Sequence, residues 1–430
     1  VASWSGVFAM SVCAFALIAS EFLPVSLLTP MAQDLHVTEG MTGQGIAISG
    51  AFAVLTSLFI SALAGSLNRK TLLLGLTLAM GVSGAIVALA PNYAIYMMGR
   101  ALIGVVVGGF WSMSAATAIR MVPRRDVPRA LAIVNGGNAL ATVVAAPMGA
   151  YLGTVIGWRG AFLCLVPVSL IALAWQWKTL PSMPVAARAP GIGQVFKVFT
   201  LFKHPGVIVG MLASSLLFMG QFGLFTYVRP FLETVTNVHG ATISLFLLVL
   251  GAAGFIGTVL IGRVLQRSFY QTLIVIPVLM AATALALIAF GSSVAIVLVL
   301  LALWGLTGTS APVGWWAWIA KVFPKDAEAG GGLFVAVVQM SIALGSIVGG
   351  ILFDHSGYRA TFSASAALLV ICAVLAVVTA HRTHTQDCVV RDSLELVAYA
   401  LPSASAHHQH DDDRADALGA GLARMPSRTV

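Results

Sequence analysis

The sequence predicts an all-α integral membrane protein, with twelve transmembrane helices in two pseudo-symmetric six-helix bundles. Three observations predict it. The 430 residues are 59% hydrophobic and only 9% charged, with a mean hydropathy of +0.96, whereas soluble domains carry about 25% charged residues. Apolar runs of about 20 residues, long enough to cross a bilayer as helices, recur along nearly the whole chain. Two short motifs then repeat about 200 residues apart at matching places among those runs.

The first run, Val7 to Leu28, lacks a basic leader and a small-residue cleavage site, so it is read as a retained span. Gly43 to Leu63 and Leu72 to Leu89 follow, then Tyr93 to Ile119, Ala130 to Ile156 and Ala161 to Trp177. The stretch Thr179 to Pro205 holds Pro181, Pro184, Pro190 and several basic residues, and reads as a linker between halves. Spans seven to ten are Val207 to Val228, Ala241 to Ile261, Thr272 to Phe290 and Val294 to Ala320; Gly332 to Phe353 and Thr361 to Ala380 complete the set. None alternates with a period of two, as a transmembrane barrel requires. The expected organisation is a first bundle over 1–178, a cytoplasmic linker over 179–205, a second bundle over 206–380 and a disordered cytoplasmic tail over 381–430.

The motifs that repeat sit at equivalent turns. Gly157-Trp158-Arg159 precedes span six and Gly357-Tyr358-Arg359 precedes span twelve; Arg120-Met121-Val122-Pro123-Arg124 and Lys321-Val322-Phe323-Pro324-Lys325 each follow the fourth span of their half. Two matches at nearly one spacing support duplication and a two-bundle transporter.

The net charge of +8 does not indicate a nucleic-acid partner, because the basic residues are sorted by membrane side. Arg69, Lys70, Arg120, Arg129, Lys178, Lys197, Arg263, Arg267 and Lys321 fall on one side, against Arg159, Arg229 and Arg359 on the other. Positive-inside bias puts both termini and the linker in the cytoplasm. The four cysteines show no metal or disulfide spacing. His407-His408-Gln409-His410 and the aspartates after it suit adventitious metal binding, but a solvated tail is the plainer reading. No metal, cofactor or partner chain is expected, and the protein is read as a monomer.

Glu21 is the acidic side chain inside a long apolar run, and such a group must take up a proton, find a cation or line a wet cavity. Arg100 is its candidate partner. Each lies about 7 residues from the predicted outer end of its span, roughly 10 Å deep. Burial favours the protonated acid and a nearby cation favours the carboxylate, a balance that hydration can tip. A static ion pair, or an arginine satisfying backbone carbonyls, is the alternative.

Asn135, Asn138, Trp111, Gln221, Tyr227, Trp315 and Gln339 combine amides with aromatic rings, the division of labour suited to a flat hydrogen-bonding solute. Core filling or interfacial anchoring is the ordinary alternative for each aromatic. Pro147 can bend span five, and Gly149 allows close helix approach, so both are gating candidates. Arg229, near the outer end of span seven, suits either an outer latch or a snorkelling interfacial role.

The two-half pattern, Arg100-x-x-x-Gly104-x-x-x-Gly108 and the segment Glu21-Phe22-Leu23-Pro24-Val25 resemble the major facilitator superfamily, in particular its drug:proton antiporter branch. Gly108-Gly109-Phe110-Trp111, Gly220-Gln221-Phe222 and Phe225-Thr226-Tyr227-Val228-Arg229-Pro230 are similar to its bacterial purine ribonucleoside efflux pumps. The resemblance implies proton-coupled export of nucleosides such as inosine and guanosine, with Glu21 as the proton site. A broader drug or sugar exporter is the alternative. Asn68 stands where the family carries an Asp, so the usual gating ion pair is not expected there. No His-Glu-x-x-His motif or phosphate-binding Gly-x-x-x-x-Gly-Lys loop occurs, which argues against an enzyme or an ATP-driven pump.

Overall fold

A computed structural model describes residues 3–63, 67–123, 126–184, 205–322 and 327–400. Its helices are α1 (Trp4–Asp34), α2 (Glu39–Leu63), α3 (Arg69–Ala88), α4 (Tyr93–Met121), α5 (Val127–Val155), α6 (Gly157–Leu163), α7 (Leu165–Thr179), α8 (Pro205–Phe225), α9 (Val228–Thr234), α10 (Ala241–Arg267), α11 (Phe269–Phe290), α12 (Val294–Val322) and α13 (Ala327–Ala400).

Among the described residues, 11 stretches are long and apolar enough to cross a membrane. The pairs α6–α7 and α8–α9 each make one, and the last covers 49 residues from Leu333 to His381. At helical rise that is about 70 Å, more than twice a hydrocarbon core of roughly 30 Å. It is interrupted at Gly357, whose φ of 76° and ψ of −179° are non-helical. It therefore supplies two crossings, which restores the expected twelve.

Gly157 and Gly357 both adopt positive φ, 74° and 76°, a conformation that costs glycine nothing. The repeated Gly-aromatic-Arg motif thus marks the same turn in each half. The packing repeats as well. Gly104 on α4 lies against the Ser49 carbonyl of α2, and Gly305 on α12 lies against the Leu250 carbonyl of α10; one shift of 201 residues (104 to 305, 49 to 250) relates both contacts. A methyl group at Gly104 would collide with the α2 backbone. Gly104→Ala is expected to destabilise the first half by about 1–3 kcal/mol, read as a lowered melting midpoint in detergent; an unchanged midpoint would mean that α2 yields freely.

The apolar packing follows the halves but is continuous across the seam, where Val25, Ile46, Ala146 and Ala150 of the first half join the core of the second. One cluster joins α1 to α3 and α4 through Leu17, Leu76, Val107 and Phe110; the other joins α8, α10, α12 and α13 through Phe218, Phe246, Trp304 and Phe334. Large apolar side chains such as Leu89, Phe255, Val259 and Val299 remain exposed, as expected for a surface whose solvent is lipid.

Asn68 acts within its own half. Its Oδ1 accepts from Lys70 N and Met183 N, both at 3.0 Å, and its Nδ2 donates to Ser182 Oγ at 2.6 Å. The amide caps α3 and ties down the chain leaving span six, and residues 185–204 of the linker lie outside the described residues. α13 continues to Ala400, into the stretch expected to be disordered from 381. Residues 381–400 contain neither Gly nor Pro, so nothing local ends the helix. The histidine-rich segment lies outside the described residues.

Candidate functional site between the two halves

Prolines within the spans set up much of the site. A proline carries no N–H, so the carbonyl four residues earlier loses its helical partner and must be satisfied from elsewhere. Pro24 and Pro30 lie inside α1 and release the carbonyls of Ser20 and Ser26. Arginines take both. Arg100, fully buried on α4, donates Nη1 to Ser20 O at 2.9 Å and Nε to Gly45 O at 3.0 Å. Its Nη2 reaches Ser49 Oγ at 3.3 Å and the main-chain oxygen of Glu21 at 3.5 Å.

The Glu21 carboxylate is not among these partners, which corrects the expected side-chain pair. Arg100 staples α4 to α1 and α2 through backbone carbonyls, because a released carbonyl has no water to turn to in the membrane. The Glu21 side chain turns instead to the second half, where its Oε1 accepts from Gln339 Nε2 at 3.4 Å. Glu21 is 9% exposed.

The amides around it are incompletely satisfied. Gln221 donates Nε2 to Gly308 O at 3.2 Å, a carbonyl released by Pro312 of α12. The oxygens Gln221 Oε1 and Gln339 Oε1 are buried without partners. Phe22 stacks on Phe222 at 5.9 Å, so residues 21 and 221 lie at one level on facing helices. A carboxylate and two orphan amide oxygens make a group rich in acceptors, suited to a solute that brings N–H and O–H donors.

One end of this layer is closed. Phe22 also meets Phe225 edge-on at 6.1 Å, and Arg229 of α9 donates to Ser26 O, the second proline-released carbonyl. Further out, Asp354 of α13 accepts from Thr38 Oγ1 at 2.5 Å and Gly40 N at 3.0 Å, capping the start of α2 from the opposite half. Tyr227, fully buried, lies over Gly43, donates to Ser346 O at 2.8 Å and stacks on Phe353 at 5.3 Å. Expected in the solute site, Tyr227 instead belongs to this closure.

Towards the other end, which carries the basic loops, side-chain hydrogen bonds across the seam give way to helix packing among the described residues. Among the described residues, the hydrogen bonds joining the first six spans to the last six are those of Gln339, Arg229 and Asp354 just given, all at or beyond Glu21. On α5, Val143 O, released by Pro147, packs against Gly251 of α10. Two turns nearer the basic end, Asn135 is exposed with Nδ2 on Leu131 O at 3.0 Å. Asn138 is half-buried, as is Trp111, which meets Phe110 edge-on at 5.6 Å. One other expectation is corrected, and one close helix approach is seen as expected. Trp315 is buried against Trp318 at 5.6 Å in the second-half core, and Gly149 packs on Leu23 and Ser26 within the first half. Ring chemistry alone does not say which way a helix turns its side chain.

Asp354, Thr38, Glu233 and the proline-released carbonyls escape sequence reasoning. A signal for the carbonyls is nonetheless present: Pro24, Pro30, Pro147 and Pro312 each name the acceptor four residues upstream.

Comparison with known proteins places this geometry in a family. A family model described as Major Facilitator Superfamily matches residues 10–330 and 271–395. The chain is 78% identical over 378 residues to the Transcription regulatory protein OpdE of Pseudomonas aeruginosa, covering 88% of this chain and 94% of that one. It is 38% identical over 373 residues to the Purine ribonucleoside efflux pump NepI of Salmonella paratyphi B, covering 87% and 93%. The crystal structure of a point mutant of the nucleoside transporter NupG superposes with a TM-score of 0.73 at 14% identity, covering 87% of this chain and 98% of that one.

Proposed function

The chain belongs to the Major Facilitator Superfamily, and on that premise we propose that it exports purine ribonucleosides such as inosine and guanosine in exchange for protons. It works by alternating access in a bacterial inner membrane, with both termini cytoplasmic, as a monomer without cofactor or metal. The bundles 1–178 and 206–380 rock about the seam, and 179–205 links them. One observation carries the reading: a buried carboxylate, Glu21, sits on that seam, bonded across it to Gln339, beneath an end that Arg229 and Asp354 tie shut across the halves.

In this conformation the site is reached from the basic, cytoplasmic end. A solute enters past Asn135, Asn138 and Trp111 and donates to the amide oxygens of Gln221 and Gln339, while Glu21 releases its proton inward. Rocking then opens the other end, the solute leaves and Glu21 is protonated again. A proton moving down 100 mV contributes about 2.3 kcal/mol. The relative named as a purine ribonucleoside efflux pump supports the solute class; a broader drug or sugar exporter is the alternative.

The relative named as a transcription regulatory protein favours a second reading. Export of a solute that induces transcription joins the two, since an exporter lowers the inducer inside the cell. Competition uptake in inverted vesicles tests the solute. Labelled inosine transport is expected to be inhibited by excess guanosine and unaffected by sugars or cationic dyes. Inhibition by dyes or sugars would favour the broader exporter, and absence of any flux would favour a regulator that does not transport.

A further inference from the structure

We propose that Pro30, Ser26, Arg229 and Glu233 form a two-position latch in which the Arg229 guanidinium moves between a carbonyl of the opposite half and a carboxylate of its own helix. The inference rests on the alternating-access reading above and adds the device that holds and releases its outer end.

The carbonyl of Ser26 is available only because residue 30 is a proline. Arg229 takes it across the seam, while its Nε donates to Glu233 Oε1 at 2.9 Å one turn along α9. Arg229 is 7% exposed, so opening this end by breaking the bond to Ser26 alone would strand guanidinium donors. The other carboxylate oxygen of Glu233, Oε2, is buried and has no partner. It is the acceptor that Nη1 needs. In the closed position the guanidinium spans Ser26 O and Glu233 Oε1; in the open position it turns so that Nη1 and Nη2 dock end-on on the two oxygens of Glu233 as a two-pronged ion pair. The charge is compensated in both positions, and the energy difference between them stays small enough for a cycle.

Arg100 shows the contrasting arrangement. Its proline-released acceptor, Ser20 O, belongs to its own half, and its remaining bonds go to Gly45, Ser49 and Glu21 of that half. That contact persists as the bundles rock, whereas the contact at Ser26 is broken each time the outer end opens.

The device makes two substitutions act in opposite directions, which general damage to the fold does not. Pro30→Ala restores an N–H that competes for Ser26 O and weakens the closed position. Glu233→Gln removes the charged dock and weakens the open one. The full chain, with its four cysteines replaced and spin labels at Gln33→Cys and His239→Cys across the outer end, reports the open fraction by double electron–electron resonance in nanodiscs. Pro30→Ala is expected to raise the long-distance population about fivefold, and Glu233→Gln to lower it several-fold, shifts typical of the net worth of one hydrogen bond. Shifts of the same sign, or none, in a protein whose parent populates both distances would overturn the latch. If Pro30→Ala does not fold, Glu233→Gln alone decides, since an unchanged or increased open fraction refutes the docking role. A parent with one short distance under every pH and solute condition would overturn alternating access itself, and the latch with it.

Discussion

Glu21→Gln is expected to leave a folded protein that exchanges inosine for inosine but cannot accumulate it against a gradient. One proton moving through 100 mV contributes about 2.3 kcal/mol, a concentration ratio of about 50. In inverted vesicles energised to that level, the parent should approach such a ratio and the variant should remain near one. The amide retains the size of the side chain and its acceptor for Gln339 Nε2, so packing changes little while the exchangeable proton is gone. Energised accumulation surviving in the variant would move the coupling site elsewhere. Loss of counterflow together with accumulation would point to solute binding rather than protonation as the task of Glu21.

The second large effect concerns Arg100, and it is structural first. Arg100→Met fills most of the space but withdraws the donors that satisfy Ser20 O, Gly45 O and Ser49 Oγ. Ser20 O, released by Pro24, is left unpaired at a cost of about 1–3 kcal/mol, and Gly45 O and Ser49 Oγ each lose the charged donor that ties α2 to α4, so the loss is a large part of the stability of a membrane bundle. The folded fraction of Arg100→Met, followed by size exclusion after a heating series, should fall steeply, with Arg100→Lys intermediate because one ammonium cannot span acceptors on two helices. Full thermal stability with lost proton coupling would show instead that Arg100 acts mainly through its field on Glu21.

Much of this architecture is legible in the sequence because membranes simplify the problem. Length and apolarity give the spans, basic residues mark one side, and Gly157 and Gly357 announce the duplication. Glu21 stands out for the same reason, since a carboxylate in an apolar run has few uses. The partners of Glu21 are harder to foresee. Gln339 lies 318 residues away, and only the packing of the two halves brings it to the seam. Depth in the membrane suggests a Glu21–Arg100 pair; the outcome turns on which acceptors Pro24 and its neighbours leave open. Tyr227 and Trp315 show the limit of residue type as a guide, for each has the chemistry of a solute contact and a position that gives it another task. Asp354 is one charge in a loop when only the sequence is read, and its meaning appears when α2 begins beneath it.

The most direct measurement follows protons rather than solute. Purified protein in liposomes with a trapped pH dye is given an inosine gradient and no imposed pH difference. The account predicts proton movement opposite to inosine, in fixed ratio to it, and abolished in Glu21→Gln. Inosine moving through the parent protein with no accompanying pH change, or an undiminished pH change in the variant, would contradict it.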